Sequence, residues 1–487
     1  FDSVSYNGEI KVINSSMLLE NAKVVEPNTL KLDILNTVKE FKLCVKNQEL
    51  LKRFFPSTKK FLNLQNHNLN FKYKNDSISL SGNGKIKIDK NYDEINYFIL
   101  NEKEKTNFDL KLTLNQTDFV IKNLNYKKNI NEKTNLRIAG ILNNSKDLNF
   151  ENISISDKTN KIKINNLILD KNYLIDRFDK IYFDYIDSEN KNNQFTIQRQ
   201  NENNYKLNGL FFNATSLVAN LLESKEDKDS KLFKNNIKLI LNLNEVYIDE
   251  INFVKNLQGL IFIKHNKVVD TNLTANFENN KNIVFSVEIT NNGEKITKLY
   301  SSKAKPFVRR YKFIKGFEEG YLDFKSIKKN EKSVSNLKIY NFKLKEVPAL
   351  TKLLTLASLQ GIADTLTGEG IRFEEFEMNF SNEKSSMIIE ELFAIGPAIS
   401  ILMNGYVEEG KLISLRGTLV PATTINKTIS KIPLLGKILV GDKTGEGVFG
   451  VSFKIKGPPK DLETTVNPIK TLTPRFITRT LEKIKRN

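Results

Sequence analysis

Gly445, Gly447 and Gly450, in the stretch TGEGVFGVSFKIKG, have the glycine spacing of a dinucleotide-binding turn. That chemistry needs a strand before the first glycine and a helix opening at the last, so that a pyrophosphate meets the helix N-terminus. Here Phe449, Val451, Phe453 and Ile455 share one parity, against Ser452, Lys454 and Lys456 on the other. That alternation is a strand pattern, so the glycines are expected to serve a turn and a strand start. Other reactive groups are few. His67 and His265 are isolated in sequence, and the single Cys44 excludes an internal disulfide and every cysteine-based zinc motif. The clusters Glu374, Glu375 and Glu377, Glu390 and Glu391, and Glu408 and Glu409 lie beside apolar strand patterns and read as a solvated face. With no phosphate-cradling loop, zinc-protease motif or nucleophile elbow, the sequence predicts no enzyme, no cofactor and no metal site.

Composition narrows the class further. The chain has 487 residues, a net charge of +18 and 39% hydrophobic residues, below the usual share for a globular domain. Much surface per buried atom is implied, as in an elongated or one-layer fold. Its lysines and asparagines are scattered along the chain, with no compact arginine-rich patch, so nucleic acid is not an expected partner. No apolar run approaches the roughly 18 residues of a membrane span. The chain begins at Phe1, and the natural start is expected to lie upstream.

Period-two alternation dominates the pattern. In SISLSGNGKIKID it aligns Ile78, Leu80, Ile86 and Ile88, and in NFDLKLTLNQ it aligns Phe108, Leu110, Leu112 and Leu114. Further on, Phe376, Met378 and Phe380, then Ile413, Leu415 and Leu419, do the same. Asn, Asp, Gly and Lys clusters separate these segments at short intervals, which favours hairpins. The fold class is therefore mainly β, a long antiparallel sheet with one dry and one wet face. Three segments depart from it: a helix is expected in part of 28–55, another at 213–224 capped by Asn213 or Thr215, and a third at 347–367 ended by Gly368. A further amphipathic segment is expected at 424–439. The chain divides on this reading into a truncated N-terminal segment (1–60), a repetitive β region (61–345) and a C-terminal region (346–487).

The C-terminal third carries a resemblance. The runs LLTLASLQGIADTLTGEGIRF, GTLVPATTIN, IPLLGKILVG, GEGVFGVSFKIKGP and VNP occur in order over roughly residues 340–480. They resemble the AsmA-like C-terminal region of the AsmA/YhdP/TamB-type family, although TPR at Thr473–Arg475 stands where that family has APG. The resemblance implies a bridge-like lipid-transfer protein. Its sheet would be curled into an elongated open groove, and an N-terminal segment missing from this chain would anchor it in the inner membrane. It also implies a periplasmic location, phospholipid acyl chains and membrane surfaces as partners, outer-membrane or periplasmic proteins as further partners, and a role in outer-membrane biogenesis. The groove lining expected on this basis is Ile78, Leu80, Leu110, Leu112, Leu114, Phe376, Met378, Phe380, Ile413, Leu415, Leu419, Phe449, Val451 and Phe453. The same alternation would serve a closed sandwich or barrel core, and a periplasmic assembly factor without lipid conduction is the alternative function.

Overall fold

The computed structural model describes residues 4–12, 15–24, 32–44, 61–74, 77–88, 91–121, 124–144, 147–222, 232–278, 281–308, 316–345, 348–356, 360–421, 450–459 and 461–469. For 4–44 it describes the backbone path alone. The chain forms two compact units, Phe1–Val268 and Val269–Asn487.

The first unit starts with β1 (Val4–Val12), β2 (Ser15–Val24), β3 (Leu32–Cys44), β4 (Phe61–Lys74), β5 (Ser77–Lys87), β6 (Tyr92–Asn101) and β7 (Lys105–Leu114). The short β8 (Phe119–Ile121) and β9 (Tyr126–Lys128) form a separate hairpin. Then follow β10 (Thr134–Asn143), β11 (Leu148–Ser156), β12 (Lys161–Leu169), β13 (Ile175–Arg177), β14 (Lys180–Ile186), β15 (Asn192–Asn201) and β16 (Asn204–Asn213). After helix α1 (Thr215–Leu222) come β17 (Ile237–Tyr247) and β18 (Phe253–Lys264). Each strand pairs antiparallel with the next in the sheet, β7 joining β10 directly, as short polar turns between alternating segments require. One pair breaks the rule: β16 and β17 are parallel. A parallel pair needs a crossover, and the connection contains α1. Asn213 prepares that helix, its side-chain oxygen accepting from the Thr215 N–H at 3.1 Å.

The second unit holds β19 (Lys267–Asn276), β20 (Asn282–Ile289), β21 (Lys295–Ser301), the short α2 (Lys305–Val308), β22 (Gly316–Lys329) and β23 (Lys332–Lys345). Helices α3 (Pro348–Leu356) and α4 (Gln360–Thr367) precede β24 (Ile371–Glu383), β25 (Ser386–Ile395), β26 (Ile399–Glu408) and β27 (Leu412–Pro421). The sheet ends with β28 (Gly450–Gly457) and β29 (Glu463–Ile469). All its ladders among the described residues are antiparallel between consecutive strands. Among the described residues no ladder joins β18 to β1 or β29 to β19, so the strands of neither unit close into a barrel. The fold is mainly β, as the alternation predicts.

The helix expected within 28–55 is not present over 32–44, which is strand β3 paired along β4 from Leu32↔Tyr73 to Cys44↔Phe61. Ile34 and Val38 are four apart and mimic a helical face, but the long partner strand decides the conformation. Residues 28–31 and 45–55 of that expectation and the 424–439 segment lie outside the described residues. The 347–367 helix is present as α3 and α4, and Gly368 follows the last helical residue.

The buried face also shifts parity along some strands. Buried apolar positions step from Leu64 to Leu69 in β4, with His67 buried between them, and Asn66 has φ 51°. They step from Phe317 to Leu322 in β22 across Glu319 (φ 63°) and Gly320 (φ 75°), opposite Asn341 (φ 52°) in β23. Such local kinks let both halves of a long strand keep their apolar side chains on one face. Phe342 sits at this kink, stacked between Phe317 (5.2 Å) and Phe373 (5.3 Å). Replacing Phe342 by Ala is expected to destabilise the second unit by about 3–5 kcal/mol. The check is the midpoint of its denaturant transition, compared with an exposed-site control such as Lys325→Ala.

Candidate functional site

Residues directly opposed in a β-ladder point to the same side of the sheet, so register turns a list of strand residues into a surface. In the second unit one row reads Leu273, Phe285, Leu299, Phe324, Leu337, Met378, Leu392, Met403, Gly417, Phe453 and Val466, each paired with the next. The row crosses eleven strands without a polar side chain. At about 4.8 Å per strand it runs for about 48 Å. Gly417 belongs to it for a steric reason: a Cβ there would lie 2.6 Å from the Phe453 ring. A parallel row runs Leu322, Ile339, Phe376, Ala394, Ile401, Leu419 and Val451.

The first unit repeats the arrangement. One of its rows links Leu69, Gly82, Tyr97, Leu110, Ile138, Ile153, Ile164, Ile181, Ile197, Leu207 and Leu241. A second links Ile95, Leu112, Leu136, Ile155, Ile162, Phe183 and Phe195. The opposite face carries Lys111, Arg137, Ser154, Lys163, Tyr182 and Thr196, so the two faces differ in chemistry strand after strand.

The expected lining residues take distinct places on this surface. Leu110, Leu112 and Leu114 share the apolar face of β7, and Ile78 and Leu80 lie on β5. Phe376, Met378 and Phe380 stand on β24, Ile413, Leu415 and Leu419 on β27, and Val451 and Phe453 on β28. Phe449 lies outside the described residues. Gly450 opens a strand where nucleotide binding would require a helix. Exposure grades along the strands: Leu114 is 1% exposed, Leu112 9%, Leu110 and Leu80 are half-buried, and Ile78 is 38% exposed. In the second unit Leu419 and Val451 are fully buried while Met378, Ile413 and Leu415 are half-buried. Burial along each apolar face is therefore uneven: half-buried stretches such as Leu110 and Met378 lie between buried clusters, among them Phe380, Ile389 and Leu392 in the second unit and Phe178, Tyr205 and Ile237 in the first.

Elements outside the long ladders add buried groups. In the first unit the β8–β9 hairpin does so, Tyr126 packing edge-on against Tyr185 at 5.7 Å while the Tyr185 hydroxyl donates to Leu124 O. Lys128 of this hairpin is buried, its Nζ donating to the carbonyls of Thr117 (2.7 Å) and Asn115 (3.0 Å). Burial pulls its pKa below the ordinary lysine value, against the opposing pull of Asp93, Glu132 and Asp118. Asp93 accepts from the Asn115 and Gln116 N–H groups. In the second unit α3 and α4 contribute, with Leu353, Leu354, Ala363 and Leu366 buried. These elements were not expected from the sequence, apart from the helix of 347–367.

A polar group also sits within the apolar rows. His67 is fully buried, its ring filling the space a Cβ at Gly84 would need. Its Nε2 lies 3.0 Å from Lys85 O and its Nδ1 3.2 Å from the Tyr97 hydroxyl. The neutral ring satisfies both contacts, Nε2–H donating to the carbonyl and Nδ1 accepting from Tyr97. Burial pushes the Tyr97 hydroxyl up to about 12. The isolation of His67 in sequence gave no sign of this placement; a histidine beside a kinked asparagine and opposite a glycine pair is the only local signal. No group of three or more metal-ligating side chains occurs among the described residues. No helix of the described residues is long and apolar enough to cross a membrane.

No family model matches the chain, and no curated protein matches it.

The His67 environment makes a pH prediction. Burial lowers its pKa from 6.5, only partly offset by the Lys85 carbonyl, so the unfolded chain takes up the proton first as pH falls. Stability is then present above about pH 6.5 and lost below it. Denaturation midpoints measured from pH about 7 to about 5 should fall, and His67→Gln should flatten that slope.

Proposed function

We propose that the chain carries the acyl chains of phospholipids along its apolar faces. In the fuller form of the proposal it is a periplasm-spanning, inner-membrane-anchored conduit between inner and outer membranes that supports outer-membrane biogenesis. The observation that carries the reading is the unbroken apolar row from Leu273 to Val466, half-buried over much of its length. An acyl chain of roughly sixteen carbons costs about 13 kcal/mol to leave in water, at about 0.8 kcal/mol per CH₂. A surface that only has to offset this cost needs apolar continuity and no reacting group. The row provides that continuity, and small displacements along it exchange one set of Leu, Phe and Met contacts for an equivalent set.

Toward one end of the second unit's strands the polarity of the face changes, at positions of which Thr271, Val287 and Ser335 are buried. Beside the apolar row runs Thr271, Val287, Thr297, Ser326 and Ser335, with Ser335 Oγ donating to Ser326 Oγ at 2.9 Å. One step further Lys295 and Lys328 stand directly opposite each other. The resemblance of 340–480 to the AsmA-like region supports the same reading, along with the periplasmic location and membrane partners it implies. No reaction, cofactor or nucleic-acid partner is proposed.

The test is lipid extraction and mass spectrometry on the purified chain. Phospholipid should co-purify, and Leu110→Asp with Met378→Asp should lower its yield several-fold while the thermal transition is kept. A photo-crosslinking residue at 110 or 378 should label lipid, and one at 111, on the other face, should not. A folded wild-type chain that carries and crosslinks no lipid overturns the proposal and leaves the assembly-factor function standing.

A further inference from the structure

The polar face of the first unit holds a depression of about 250 Å³ lined by Lys161, Lys163, Asn165, Lys180 and Tyr182. Register explains why these groups meet. Lys163 is directly opposite Tyr182 and Asn165 directly opposite Lys180, so three ammoniums from β12 and β14 share one side of the sheet. None of the three has an ion-pair or hydrogen-bond partner among the described residues.

The nearby carboxylates are held elsewhere. Asp184, opposite Lys161, accepts from the Tyr182 hydroxyl at 2.9 Å and from Gln194 Nε2 at 3.4 Å. Asp179, next to Lys180 in the chain, takes Arg199 at 2.9 Å and Asn166 Nδ2 at 2.7 Å. The flanking strands add further donors: Ser156 and Ser154 stand opposite Lys161 and Lys163, and Thr196 and Gln198 opposite Tyr182 and Lys180. Three like charges at neighbouring positions repel, and a multivalent oxyanion placed among them relieves that repulsion. A phosphate monoester carries about two negative charges and three acceptor oxygens, which matches three point-like ammoniums. The space left beside the phosphate is walled by the Tyr182 ring, whose face accepts the flat apolar side of a sugar or similar group.

We propose that this depression binds a phosphate monoester, the phosphate among Lys161, Lys163 and Lys180 and the organic part on Tyr182. The site lies on the face opposite the apolar rows and does not depend on the acyl-chain reading.

The test is calorimetric titration of the full chain at low salt with glucose 6-phosphate and with inorganic phosphate. Saturable binding of both is expected, weakened at least tenfold in Lys163→Gln/Lys180→Gln. The control Lys111→Gln/Lys238→Gln removes the same charge from the same unit and should bind as wild type. Tyr182→Leu should weaken glucose 6-phosphate more than inorganic phosphate. Equal loss in both double variants would mean a diffuse charge effect and would overturn the site, as would no binding at all. Vesicles separate the two sources of the group. Stronger sedimentation with phosphatidic acid than with phosphatidylglycerol vesicles, lost in Lys163→Gln/Lys180→Gln, points to a membrane-borne monoester. Binding of the free ester without that preference points to a soluble one.

Discussion

The structure depends on one constraint of β-ladders: opposed residues share a side. A one-residue slip would turn every side chain of a strand to the wrong face. Carrying an apolar row across eleven strands therefore requires each pairing to be in phase with the last. Where a strand is too long or too curved to keep phase, the chain inserts a left-handed residue and regains it, as at Asn66 or at Glu319 and Gly320. Asparagine suits these positions because its short polar side chain tolerates positive φ. The abundance of asparagine is thus partly a mechanical property of the sheets and only partly a matter of solubility.

The legible part of the fold was the part written with period two. Leu110, Leu112 and Leu114, or Phe376, Met378 and Phe380, announce their common face without help from the rest of the chain. What could not be read was which of these residues would be covered. Leu114 and Leu110 look alike in sequence, yet one is buried and the other is half-accessible. At the Leu114 end of β7 the chain continues into the β8–β9 hairpin, whose Lys128 is tied to the Asn115 and Thr117 carbonyls and which gives only a faint signal of its own. The strand at 32–44 was hidden for a related reason: its local pattern is ambiguous, and only the partner strand removes the ambiguity. His67 and the three lysines were invisible because their neighbours are set by register and not by sequence distance.

The two faces divide the physics of the molecule between them. On one side hydrocarbon contacts dominate, and single polar groups such as His67 are tolerated only with partners in place. On the other, charges are solvated or paired, as in the two-pronged contact of Arg137 with Asp109 at 3.0 and 2.9 Å. Surface pairs of that kind contribute little to stability, so the apolar side and the ladders hold the sheets together.

The parallel pairing of β16 with β17 has a consequence for how the first unit assembles. Most of its sheet grows by adding each strand to the one just completed, which needs only short chain closures and proceeds readily from one end. At β16 this sequence of local steps is interrupted. The next strand must pass a helix and return in the same direction before it can pair, so a longer loop is ordered before any contact compensates for it. Strands up to β16 can zip as a growing front, while β17 and β18 wait on that closure. The crossover therefore divides the assembly of one continuous sheet into two kinetic stages.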